Sequence, residues 1–177
     1  QKAGFDYSEV AAMAQARDAI MARLGDACYP KPPGDLRVFW VGANRDQDES
    51  GFLQALRGIA TVVEFRNWQG GYGQWYKDDH GRVRVYDPAI VARNDACLLS
   101  QMDQALREGP VDLLMGQMWA NYISTAALAE VRARGVPVLN VSMDDRLPDN
   151  WSCQQGTRLG AVGLASVTDL VLTTASE

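Results

Sequence analysis

From Leu36 onward the chain is built of short apolar runs separated by stretches with helical spacing, and this alternation restricts the fold more than any other feature. "LRVFWVG", "TVVEF", "VDLLMGQM", "VPVLNVSM" and "DLVLTTAS" read as five strands. Between them lie "SGFLQALRGIA", "YDPAIVARNDACLLSQMDQALREG", "STAALAEVRARG" and a short helical piece from Ala161 to Ser166. In the long second helix Asp87 is placed to cap the start and Pro88 suits the first turn. Alternation of this kind implies a parallel sheet covered on both sides. The expected class is therefore α/β, a Rossmann-like open parallel sheet of about five strands with helices on both faces.

An additional helix is expected ahead of this unit. Val10, Met13, Ile20, Met21 and Leu24 recur at helical spacing from about Tyr7 to Leu24, with Ser8 near the start and Gly25 at the end. The Pro-rich "CYPKPPGD" then breaks the chain. Residues 1–34 thus form an amino-terminal helix and linker, and residues 35–177 the main domain.

Length and charge narrow the partners. The chain has 177 residues, suited to one domain with a proper core, with 17 Lys and Arg against 22 Asp and Glu. A net charge of −5 argues against non-specific binding to nucleic acid or a membrane surface, either of which wants a basic face. No apolar run approaches a membrane span. Cys28, Cys97 and Cys153 show no CxxC or Cys/His spacing, so neither a disulfide framework nor a zinc site is expected. They read as buried or half-buried thiols of a reducing, cytoplasmic location.

In open parallel sheets ligands sit beyond the carboxyl ends of the strands, at a switch in strand order. That rule selects "VGANRDQDESG", "FRNWQGGYGQWYKDDHG", "GQMWANY" and "SMDDRLPDNW". All are rich in amides, charges and aromatic rings, the side chains that hold sugar rings and hydroxyls. The substrate-binding candidates are Gly42, Asn44, Arg45, Trp68, Tyr72, Trp119, Asn121, Tyr122 and Arg146, and the catalytic candidates are the adjacent carboxylates Asp144 and Asp145. Asn44 and Asn121 have a purely local alternative as helix caps, as does Ser124. The three glycines of "WQGGYGQWY" suit either a loop over a ligand or a surface loop with its rings folded back. Several sharper readings fail: there is no GxGxxG, no GxxxxGK[ST] and no GxSxG, and His80, the single histidine, lies in a polar turn.

"VFWVGANRD", "VDLLMGQMWANYIST", "GVPVLNVSMDD" and "TDLVLTTASE" together resemble the amino-terminal half of GT-B glycosyltransferases, in particular the spore-maturation-type (CgeB-like) group. The resemblance covers roughly residues 36 to 177. It implies half of a hexosyltransferase-type enzyme that moves a sugar from a nucleotide sugar to a glycan or small-molecule acceptor. This half would hold the acceptor, and an absent carboxy-terminal domain would hold most of the nucleotide. Such enzymes need no metal or other cofactor beyond the nucleotide sugar as co-substrate, and the half would be inactive alone. In an inverting transfer, Asp144 or Asp145 would deprotonate the acceptor hydroxyl. The reading from another class is a non-catalytic sugar-binding or sensor domain that uses the same side chains unaided.

Overall fold

The computed structural model describes residues 8–25, 31–78, 81–82, 86–143 and 152–173. Helix α1 (Glu9–Leu24) comes first, then strand β1 (Leu36–Val41), the short helices α2 (Arg45–Glu49) and α3 (Phe52–Arg57), and β2 (Ala60–Glu64). The hairpin strands β3 (Lys77–Asp78) and β4 (Gly81–Arg82) precede α4 (Pro88–Glu108) and β5 (Leu113–Gly116). Then follow α5 (Thr125–Ala133), β6 (Val138–Ser142), a second hairpin β7 (Cys153–Gln154) and β8 (Thr157–Arg158), a 3-10 segment Val162–Val167, and β9 (Leu170–Thr173).

Five strands form one sheet in the order β2-β1-β5-β6-β9, and every neighbouring pair is parallel. The expected α/β class, with a five-stranded parallel sheet and helices on both faces, is what the chain adopts. Relative to the chain, the order is 2-1-3-4-5, which places the switch between β1 and β5.

Side chains alternate between two cores, as the two-residue period of a strand requires. Phe39, Val41, Leu114 and Val138 pack with Leu98, Met102 and Ala105 of α4 and with Leu128 and Val131 of α5. Val38, Trp40, Met115 and Val141 point the other way, onto Leu53 and Leu56 of α3. Capping follows the sequence. Ser8, Asp87 and Ser124 each accept a backbone N–H in the first turn of α1, α4 and α5.

Three expectations need correction. The helix expected over residues 50–60 is confined to α3, and a further short helix, α2, precedes it, because Asn44 caps a turn earlier and the chain breaks at Ser50–Gly51. Helix α1 does not bury the apolar stripe its spacing suggests. Val10, Met13 and Met21 are exposed, and the one buried residue is Ala16, whose small side chain lets the helix approach the sheet. Cys153, expected to be at least half-buried, is exposed on the β7–β8 hairpin.

What seats α1 is a buried carboxylate. Asp169, with a side chain 2% exposed, accepts from Arg23 of α1 at 2.8 Å, from Arg132 of α5 at 2.9 Å and from the Val138 backbone at 2.8 Å. Arg23 also donates to the Arg132 carbonyl at 3.0 Å, satisfying one open acceptor at the end of α5. Removing one member of such a group leaves buried charge without a partner. Asp169→Ala is therefore expected to lower unfolding free energy by about 3 kcal/mol, read from urea denaturation, with Asp169→Asn costing less because it keeps an acceptor for Val138.

Candidate functional site

The loop after β2, from Phe65 to Tyr76, bends back over the end of β1. Phe65 donates to the Trp40 carbonyl at 2.9 Å and Gly73 to the Phe65 carbonyl at 3.1 Å. Gln74 then enters the switch between β1 and β5. Its backbone N–H donates to the Gly42 carbonyl at 3.0 Å, its side-chain oxygen accepts from the Trp119 N–H at 3.0 Å, and its side-chain N–H donates to the Gln117 carbonyl. Gln74 is fully buried, so it fills from within the crevice where a doubly wound sheet ordinarily receives its ligand.

A second group completes the plug. Asp48, on the inner side of α2 and 1% exposed, accepts from the Tyr72 hydroxyl at 2.8 Å, the Ala43 N–H at 3.1 Å and the Gln117 side chain at 3.2 Å. The Tyr72 oxygen in turn accepts from Trp40 Nε1 at 2.7 Å. Burial raises the Asp48 carboxyl above its ordinary value although these donors oppose it, and burial with the bond to Asp48 raises the Tyr72 phenol. Gly42 is required here. A Cβ would overlap the Tyr72 hydroxyl and lie 2.6 Å from the Asp48 carboxylate.

Amide side chains hold the rest of the loop. Asn67 accepts from Gln69 and Gly71 N–H groups at 3.0 and 3.1 Å and donates to the Trp75 carbonyl at 2.6 Å. Asn94 on α4 donates to the carbonyls of Gln74 and Tyr122, at 3.0 and 3.1 Å. Seven residues on, on the same helix face, Gln101 pairs with both backbone groups of Arg66. These bonds anchor the glycine-rich loop to α4 and to the strand ends.

With the crevice filled, the open space lies outside it. A cleft of about 500 Å³ runs between Asn44, Arg45 and Asp46 on one wall and Asn67, Gln69, Gly71, Tyr72 and Trp75 on the other. Trp75 continues into an aromatic cluster, 5.7 Å from Trp119 between ring centres, with Tyr122 6.4 Å from each of them.

Of the residues expected at the site, Asn44, Arg45 and Tyr72 line this cleft together, and Gly42 lies beneath it. Asn44 is also the cap of α2, accepting from Asp46 N–H at 3.1 Å. Trp119 reaches the cleft only through Trp75. Trp68 packs instead against Tyr76 at 6.2 Å with the Arg93 guanidinium 4.9 Å above its ring. Tyr122 is buried, and Asn121 accepts from the Gly160 N–H at 2.9 Å, joining the β5 and β8 ends. Asp144, Asp145, Arg146 and His80 lie outside the described residues.

Sequence reasoning missed Asp48, Asn67, Gln69, Gln74 and Trp75 as site residues. Asp48 sits within "RDQDE", which reads as solvated charge until the phase of α2 is known. The others belong to a segment already marked by its position after β2. Among the described residues no three His, Cys, Asp or Glu side chains gather as a metal site, and no helix is long and apolar enough to cross a membrane.

Because Asp48 has a raised pKa when folded, its contribution to stability is fully present below the unfolded carboxyl pKa and is lost as pH rises through the folded one. The stability of the wild type relative to Asp48→Asn should therefore fall as pH rises through and above the carboxylate range, measured by denaturant titration at several pH values. Gly42→Ala should displace Tyr72 and cost about 1–3 kcal/mol as an overpacked site, with a change in the near-ultraviolet circular dichroism of the aromatic groups.

No family model, curated protein or solved structure matches the chain.

Proposed function

We propose that this domain binds a hydroxylated small molecule, a sugar or glycoside, and that it does so as the acceptor-side half of a GT-B-type glycosyltransferase. The observation that carries the reading is the cleft, in which the rings of Tyr72 and Trp75 face the amide and charged groups of Asn44, Arg45 and Asp46 across about 500 Å³. Aromatic faces take the apolar side of a sugar ring while amides and carboxylates take its hydroxyls. The volume falls within the range of small-molecule sites.

The filled crevice supports the division of labour that the sequence resemblance implies. Gln74, Tyr72 and Asp48 occupy the position at which a nucleotide would meet the switch between β1 and β5. A nucleotide-sugar donor would then be held mainly by a second domain. Asp144 or Asp145, which follow β6 in sequence, would act as base toward the acceptor hydroxyl. A non-catalytic sugar-binding domain would use the same cleft, lined by the same side chains.

Fluorescence and calorimetric titration with mono- and disaccharides should show saccharide binding with a change in tryptophan emission from Trp75. Gln69→Ala, at an exposed position of the cleft wall, should weaken that binding about tenfold, the equivalent of 1.4 kcal/mol. Binding of uridine or guanosine diphosphate with no response to any saccharide would sink the proposal. Transfer from a nucleotide sugar to the bound saccharide, followed by mass spectrometry, separates the enzyme from the binding module.

A further inference from the structure

Five charged side chains form an alternating series beside the cleft, starting at Arg45, which lines it, and ending at Arg66, close to the lining ring of Tyr72. Arg57 sits in the middle and bonds both glutamates closely, Glu49 at 2.6 Å and Glu64 at 2.6 Å. The outer arginines receive only what remains. Arg45 reaches Glu49 at 3.4 Å, and Arg66 reaches Glu64 at 3.3 Å. Three guanidiniums therefore share two carboxylates, and the deficit falls on the two ends of the series.

Both ends come to one ring. The Arg45 guanidinium lies 5.5 Å and that of Arg66 6.0 Å from the centre of Tyr72, which itself lines the cleft. Local structure puts them there. Arg45 opens α2 directly after its cap, and Arg66 follows β2 with both of its backbone groups held by Gln101. The Tyr72 phenol is fixed from below by Asp48 and Trp40. Two guanidiniums thus lie within 6.0 Å of the centre of one fixed ring, each attracted by its negative face and each only weakly paired with a carboxylate.

We infer that this edge of the cleft is an anion-recognition site, so that its preferred ligand is an acidic sugar bearing a carboxylate or a phosphate group. The inference rests on the cleft being a saccharide site. A carboxylate or phosphate accepts two parallel bonds from a planar guanidinium, which makes arginine suited to this task. The arginines are available, since their side chains are 51% and 44% exposed. Their long surface ion pairs contribute little, so a ligand can replace them at small cost. Asp46 stands on the same wall with charge opposite to that of Arg45 and Arg66. Selectivity therefore comes from position: the acid group belongs at Arg45 and Arg66, and the hydroxyls belong toward Asp46 and Gln69.

The test uses glucose, glucuronate, glucose 6-phosphate and inorganic phosphate as probes, titrated by tryptophan fluorescence at about 0.02 and 0.2 M salt. At least one acidic sugar should bind about tenfold or more tightly than glucose, with the advantage shrinking at the higher salt. In Arg45→Gln/Arg66→Gln the ratio of acid to neutral affinity should fall to about one, with circular dichroism confirming the fold. Asp46→Asn should raise the ratio. Which acid is preferred tells carboxylate from phosphate, and inorganic phosphate shows whether the charge suffices without the ring. Equal affinity for glucose and both acids overturns the inference and leaves a neutral-sugar cleft. An acid preference that survives the double substitution also overturns it. Failure of every probe to bind removes this inference and the saccharide reading together.

Discussion

The buried carboxylate of Asp48 is the contact on which the upper surface of this domain depends. Three donors from three segments converge on it: the Ala43 backbone at the end of β1, Gln117 beyond β5, and Tyr72 from the loop after β2. A buried carboxylate is costly unless its acceptor positions are filled, and low local polarity strengthens the bonds when they are. The need to satisfy Asp48 thus draws the loop down over the strand ends. Gln74 follows into the gap between β1 and β5, and the fold's usual ligand position becomes part of its interior. The open cleft that remains is formed by the outer side of the same loop. One interaction therefore decides both what the domain excludes and where it can bind.

Much of the architecture was legible in the chain. Parallel strands buried on both faces must be apolar along their length, and runs such as "VFWV" and "VLNV" announce that directly. Asp87 with Pro88, Ser8 and Ser124 act within one turn of their own position, so their capping roles need no tertiary knowledge. The features that escaped are those in which a polar residue turns inward. Asp48 looks like any surface carboxylate in "RDQDE". Asn94 and Gln101 look like solvated helix positions, yet they lie on the packed side of α4, where a loop backbone needed partners. Helix α1 misled for the opposite reason. Its larger apolar residues mark an amphipathic stripe, but close approach to the sheet goes through Ala16, and the seat is an ion pair with Asp169.

The candidate site shows the same division. Asn44, Arg45 and Tyr72 could be selected because strand ends in a parallel sheet point to one edge, and all three do line one cleft. Trp68, Asn121 and Tyr122 satisfy that rule equally well and yet serve the packing of the loops. Composition marks the edge of the sheet but not which side chains face outward from it. That distinction belongs to hydrogen bonds between segments far apart in sequence, such as Asn121 with Gly160.

The anchors of the loop are almost all neutral amides: the buried Asn67, Gln74 and Asn94 and the half-buried Gln101, with Asn140 doing the same for Met118 across the β5–β6 ends. An amide neither titrates nor attracts counterions, so these bonds hold with the same strength in acid, in alkali and in concentrated salt. The rim is built of exposed arginines and carboxylates, whose attractions fade within a Debye length. The loop is thus held mostly by neutral amides, with Asp48 the one titratable anchor among them, and is bordered by a rim whose charges respond to salt. A rise in ionic strength therefore acts on the rim before it acts on the amide anchors, whereas a change in acidity reaches the loop through Asp48.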